Sequence, residues 1–249
     1  MVTNVRDNVT VDEWNTRVDL AALYRLVAMQ GWDDFLFTHI SARVQGPDHQ
    51  FLLNPLGLCF DEVTASNLVK IDVDGNKVME SDFDINPAGF TIHSAIHMAR
   101  DDARFVLHLH SEDGVAVSAM EQGLMPLSQH AMQCGDIAYH DYEGVALDLD
   151  ERERIVSDFG DSQFLILRNH GTLTVGKSAN AAFTAMYYLE RACSIQVRAL
   201  AGGAVTLPPQ GSPEKAAAQS KLLFDGSVDE LAWPAWLRKL DAIDQSYRE

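Results

Sequence analysis

The sequence predicts an α/β protein with a central sheet covered by helices. Two observations carry this. Short apolar strand patterns alternate with amphipathic helical ones along all 249 residues. Hairpin signals such as Asp74-Gly75 join neighbouring strands, so the sheet is mixed and largely antiparallel rather than purely parallel.

The elements follow in order. Thr10-Val11-Asp12-Glu13 has the pattern of a capping box, in which the Thr10 hydroxyl takes the Glu13 amide. Leu20, Leu23, Tyr24 and Val27 recur at helical spacing behind it, and Gly31 stops the helix. Extended segments are expected at His39–Val44, Gln50–Asn54 and Val69–Val73. Asn86-Pro87 opens a helix to about Arg100, with Asn86 as cap and Pro87 at the first position. Arg104–His110 is an apolar run rich in β-formers, read as a buried strand. Ser111 caps the next helix and places Glu112 and Asp113 at its positive end. Strands are expected at Ile137–Asp141, Gln163–Arg168 and Thr172–Val175, with a turn at Gly171. Asp150–Glu153 is a capping pattern for a helix to about Phe159, and Ser178 caps a long helix that ends at Gly202-Gly203. Leu207–Pro213 holds three of the eight prolines and reads as a linker. The helical tail behind it carries Leu231, Trp233, Trp236, Leu237 and Leu240, and is expected to dock on the body or on a neighbouring subunit.

Nineteen basic against 36 acidic side chains leave a formal net charge of −17. That excludes a nucleic-acid surface, which needs a basic stripe to displace phosphate counterions. It also argues against adsorption on anionic membranes. The acids Asp72, Asp74, Glu80, Asp82, Asp101, Asp102, Glu151 and Glu153 fall in turns and helix starts and read as solvated surface. Cys59, Cys134 and Cys193 are far apart and form no CxxC pair, which suits a reducing cytoplasm. The first 15 residues have no apolar signal-peptide core, and no apolar run reaches membrane-spanning length. GxSxG, GxxxxGK[ST] and GxGxxG are all missing, so serine-hydrolase, P-loop and dinucleotide-binding readings lose their main support.

Function concentrates in the nine histidines. His108 and His110 are i and i+2 at the end of a predicted strand, so both imidazoles point to one face. That spacing suits two ligands on one metal, and equally two partly exposed polar residues. His170 lies where another apolar strand ends at Gly171. Three histidines at strand ends of one sheet can converge on one ion with an open fourth position, the coordination of catalytic rather than structural sites. Geometry leaves the metal open among zinc, iron, cobalt, nickel and copper. His93 and His97 share a helix face, but Ser94 stands where the HExxH pattern needs its glutamate, so a hydrogen-bonded or partly exposed pair is the simpler reading. His49, His130 and His140 are isolated, and Tyr139-His140-Asp141-Tyr142 reads as a pocket lining or a half-exposed edge strand.

Several motifs together resemble the class II aldolase/adducin family. They are the HLHS of His108–Ser111, the RNHG of Arg168–Gly171, Asn54-Pro55-Leu56-Gly57, the segments 62–66 and 88–97, Val117-Ser118-Ala119-Met120, Ala138–Tyr142 and Ile195-Gln196-Val197-Arg198. Many of these look like the head domain of adducin. The resemblance covers about residues 15–203. It implies a three-layer α/β/α sandwich, placed over residues 11–203, outside which the sequence reads as a flexible N-terminus over 1–10 and a linker and helical tail over 204–249. It further implies a cyclic homotetramer with active sites between subunits. The metal ligands would be His108, His110 and His170, holding a divalent metal, zinc foremost, with iron, manganese or cobalt as alternatives. Substrate would lie beside His39, Asn54, Gly57 and Gly89.

Two departures from the family pattern shape the functional expectation. The glutamate that shuttles protons in the family aldolases falls at Gly89, which cannot transfer one. The positions matching the phosphate-binding hydroxyl and amide side chains are His39, Leu56 and Ala88. The expectation is therefore a metal-dependent lyase for a small, unphosphorylated carbonyl or hydroxy-acid substrate, acting by retro-aldol cleavage or decarboxylation. His130, Tyr139 or His140, from the same or a neighbouring subunit, would serve as base. The alternatives are a non-catalytic adducin-like binding or assembly module and a non-haem iron oxygenase on the same scaffold.

Overall fold

The computed structural model describes residues 5–46, 49–145, 148–223 and 227–249. After a 3₁₀ turn at Val5–Asn8, helix α1 spans Val11–Gln30. The Thr10 hydroxyl accepts the Glu13 amide at 3.1 Å, and Gly31 closes the helix in the left-handed region at φ 69°. Ahead of α1, Arg6 of the 3₁₀ turn stacks on the Trp14 ring at 5.5 Å.

Strands β1 (His39–Arg43), β2 (Phe51–Leu53) and β3 (Val69–Ile71) form one wing of the sheet. Helix α2 (Pro87–Ala99) and strand β4 (Phe105–Leu109) follow, then short helices α3 (Glu112–Ser118) and α4 (Gln129–Cys134). The second wing comprises β5 (Ile137–His140), α5 (Glu151–Phe159), β6 (Phe164–Leu167) and β7 (Gly171–Gly176). Helices α6 (Ala179–Ala201), α7 (Ser212–Leu223) and α8 (Ser227–Asp241) complete the chain before a last 3₁₀ turn at Ser246–Arg248.

The seven strands run in the order β3-β2-β1-β4-β7-β6-β5. Every neighbouring pair is antiparallel except β5 with β6. Strand alternation then sorts the side chains by face. Ile40, Ala42, Phe105, Leu107 and Leu109 pack with Leu20, Leu23, Val27, Phe183 and Met186 of α1 and α6. Val106, Leu173 and Val175 pack on the other face with Ile92 and Ile96 of α2 and Ile155 and Phe159 of α5. The result is an α/β/α sandwich with β4 near its centre.

The tail docks on the body. Trp236 lies edge-on to Phe183, with ring centroids 5.2 Å apart, and Leu240 joins the core beneath α1. Tyr247 is fully buried, and its carbonyl accepts the Ala65 amide. Leu231 stays exposed. Among the described residues, no helix is long and apolar enough to cross a membrane.

Candidate metal centre

The register of β1 on β4 places His39 directly opposite His108. His110 lies just past the end of β4, and His170 sits in the turn between β6 and β7. That turn depends on two residues. Asn169 adopts φ 56°, a left-handed conformation its short polar side chain tolerates. A Cβ on Gly171 would lie 2.2 Å from the Leu109 carbonyl oxygen, so only glycine lets the turn press against β4. This close approach carries His170 beside His110.

The three imidazoles converge. His110 Nε2 lies 3.0 Å and His170 Nε2 3.3 Å from His108 Nε2. One nitrogen from each of the three lies within 4.8 Å of the others. The other nitrogen of His108, Nδ1–H, donates to the Thr172 carbonyl at 3.1 Å, and that of His110 donates to Asp34 Oδ2 at 2.9 Å. These bonds assign the Nδ1–H tautomer to both, which leaves both Nε2 atoms as bare lone pairs. Burial and the neighbouring histidines push the His108 pKa well below its ordinary value, and burial holds His170 down to about 4. His108 and His170 are therefore neutral near pH 7. Bare lone pairs facing each other at 3.0 Å call for a cation. Tetrahedral zinc with bonds of about 2.0–2.1 Å would set its nitrogen ligands about 3.3 Å apart, so the donor set fits a divalent metal.

Asp34 reaches His110 from a strained loop. Phe35 and Thr38 both have positive φ, at 51° and 64°, which is unusual for a bulky or β-branched residue. The Thr38 hydroxyl donates to the His108 carbonyl and anchors the loop to β4. Phe35 and Phe37 are exposed on this loop, and exposed Tyr142 lies edge-on to His170 at 6.2 Å.

Behind the centre lies a second, fully buried histidine group. His97 Nδ1–H donates to the Ala103 carbonyl at 2.8 Å, so its Nε2 accepts from the Ser41 hydroxyl at 2.7 Å. The Ser41 oxygen then accepts from His93 Nδ1–H at 2.5 Å. His93 Nε2 is left as an acceptor without a partner. His97 also stacks on Phe51. Neither helix histidine is exposed.

The remaining residues expected at the site sort clearly. His39 packs against His108 and His93, with ring centroids 5.2 and 4.5 Å away, and neither of its nitrogens has a hydrogen-bond partner. Burial lowers its pKa to about 3. Gly89 faces it: a Cβ at position 89 would lie 2.8 Å from the His39 ring. Asn54 is buried, and its Oδ1 accepts from Tyr24 at 3.0 Å. Gly57 sits in open space with φ 101°. The side chain of Ala88 lies outside the described residues.

The three residues expected as base are engaged elsewhere within the chain. Tyr139 Oη accepts the Leu124 amide, and its ring lies under Arg168. His140 is held between Asp158, 2.7 Å from Nδ1, and Glu151, 3.4 Å from Nε2. That also corrects the expectation for Glu151, which is buried rather than solvated. His130 lies on α4, with its ring against Tyr188. Asp34, Ser41 and Thr172 were not anticipated at the site. The acidic pair Asp33-Asp34 was visible in the sequence, but nothing there linked it to His110.

Residues 18–197 match the Class II Aldolase and Adducin N-terminal domain, and the chain belongs to that family. A Caulobacter vibrioides protein named for aldolase class 2 is 53% identical, the match covering 99% of this chain and 96% of that one. Mouse alpha-adducin is 41% identical over 91% of this chain, which spans only 32% of that longer protein. The structure of an L-fuculose 1-phosphate aldolase from Glaciozyma antarctica superposes with a TM-score of 0.83 at 26% identity, covering 100% of this chain and 96% of the other.

Proposed function

We propose that this protein is a divalent-metal-dependent lyase. It acts by retro-aldol cleavage or decarboxylation on a small, unphosphorylated carbonyl or hydroxy-acid substrate. One observation carries the reading: three imidazoles converge, two of them with Nδ1 engaged by Thr172 and Asp34 so that their Nε2 atoms face inward. His108, His110 and His170 would hold the metal, zinc foremost, with iron, manganese or cobalt as alternatives. When bound, such an ion polarises a substrate oxygen as a Lewis acid and stabilises charge that develops there.

The chain's own residues supply the rest. Asp34 orients His110 and raises its basicity as a ligand. His39 stays neutral, and its two unpartnered nitrogens can donate one hydrogen bond to the substrate and accept another. The imidazole of His39 and the side chain of Leu56 replace the family's phosphate-binding groups, which supports an unphosphorylated substrate. The working unit proposed is a cyclic tetramer in the cytoplasm.

The second reading is a non-catalytic binding module like the head of adducin. It is favoured by the His39 ring filling the space where the family's acid at position 89 would project.

Metal analysis of protein purified without chelator separates the two. The lyase reading expects stoichiometric divalent metal in the wild type and its loss in His108→Ala and His170→Ala. A wild type without stoichiometric metal overturns it in favour of the binding module. With zinc or manganese bound, a retro-aldol screen against unphosphorylated hydroxy-keto acids should reveal turnover. Iron with oxygen uptake would point instead to an oxygenase.

A further inference from the structure

Glu190 lies in the middle of α6 and is 1% exposed. A carboxylate in such a place needs partners. It accepts from the Ser111 hydroxyl at one oxygen and from Thr172 Oγ1, at 2.5 Å, at the other. A Cβ at Gly114 would lie 3.1 Å from Oε1, so α3 leaves room for the carboxylate there. The charged side chain that acts on it is Asp113, which has the same sign. Burial, aided by Asp113, raises the Glu190 pKa against the pull of the two hydroxyls. In the protein alone, the Ser111 and Thr172 hydroxyls are what hold this desolvated carboxylate.

Both of its partners belong to the metal-ligand framework. Ser111 directly follows His110, and Thr172 is two residues beyond His170. Thr172 also supplies the carbonyl that holds His108 Nδ1–H. Imidazole ligates a metal in its neutral form, so three such ligands would contribute no charge against a divalent ion. Asp34 offers one carboxylate from the half-exposed side. Glu190 offers another from the core, where low dielectric strengthens attraction.

We propose that Glu190 is the buried counter-charge of the metal centre and the residue that positions its ligands through Ser111 and Thr172. This rests on the metal-binding reading above. The chain thus keeps a buried carboxylate bonded to the segments that carry His110 and His170, even though position 89 lacks one.

Glu190→Gln keeps the size and removes the charge. Zinc affinity would be measured by competition with a chromophoric chelator, and the thermal midpoint of the metal-stripped protein by calorimetry. The expected result is affinity weaker by about 10–100-fold, the range seen when outer partners of metal ligands are lost. The midpoint of the stripped protein should stay the same or rise, because the desolvation cost of a buried charge has gone. Thr172→Val keeps the carbonyl but removes one hydroxyl donor, and should weaken zinc binding in the same direction. Wild-type affinity in both variants overturns the proposal. So does unchanged affinity with a lowered midpoint in Glu190→Gln, which marks a purely structural role. A wild type that binds no zinc ends the metal reading and this proposal together, whereas equal binding by wild type and variants ends this one alone.

Discussion

His39 and Gly89 share one space: a Cβ at position 89 would lie 2.8 Å from Cγ of the His39 ring. The glycine and the histidine are therefore a matched pair, and restoring an acid at 89 requires moving the ring. Gly89→Glu alone should destabilise the protein by about 1–3 kcal/mol through overpacking. Combined with His39→Ala, most of that cost should disappear. Urea unfolding of the four proteins in the cycle checks this, and a coupling below about 0.5 kcal/mol would show that the two sites are independent.

Asp34→Asn keeps the shape of the His110 partner and removes its charge. Zinc affinity should fall by about 10-fold or more, as when a ligand histidine loses its carboxylate. Fold stability should change little, since Asp34 is nearly half exposed. Chelator competition alongside thermal melting would detect the split. Unchanged affinity would remove Asp34 from the centre.

Gly171→Ala puts a methyl group against a backbone carbonyl, which cannot swing away. The expected cost is about 2–4 kcal/mol, with loss of metal binding because His170 moves away from His110. A variant that melts with the wild type and retains its metal would contradict the close approach.

His97 and His39 are buried and neutral, and both have pKa values lowered to about 3. The unfolded chain protonates its histidines near 6.5, and the folded one resists until about 3. The unfolded state therefore binds more protons across this window. Stability is full above pH 6.5 and declines as pH falls, by up to about 1.4 kcal/mol per pH unit for each such histidine. Urea midpoints of metal-stripped protein should drop measurably between pH 6.5 and 5. A flat profile would mean that these rings are not held neutral.

Trp236 joins the tail to Phe183 and Tyr187 of α6. Trp236→Ala should cost about 2 kcal/mol, from lost apolar burial and two ring contacts. The metal centre lies elsewhere, so zinc affinity should hold. A thermal midpoint equal to wild type would show that the tail is only loosely attached.

Helix ends were legible because caps are local chemistry. Thr10, Ser111 and Ser178 accept the amides their side chains were expected to accept, and Gly31 takes the left-handed stop. The helix at Gln129–Cys134 escaped notice, since six residues are too few to show a helical period, although Ser128 caps it. The pattern of Asp150 misled in detail: the helix starts there, but its side chain makes no cap bond.

The sequence by itself determined the strands and the shared face of His108 and His110, because each depends on spacing along one segment, while the resemblance to the family marked Gly89 as the place where an acid would stand. Only tertiary structure decided that His39 faces His108, that Asp34 and Thr172 set the tautomers of His110 and His108, and that Glu190 takes the hydroxyls of Ser111 and Thr172. Those relationships depend on which strands become neighbours and how closely a turn can press on β4. Packing sets both, and no local pattern encodes them.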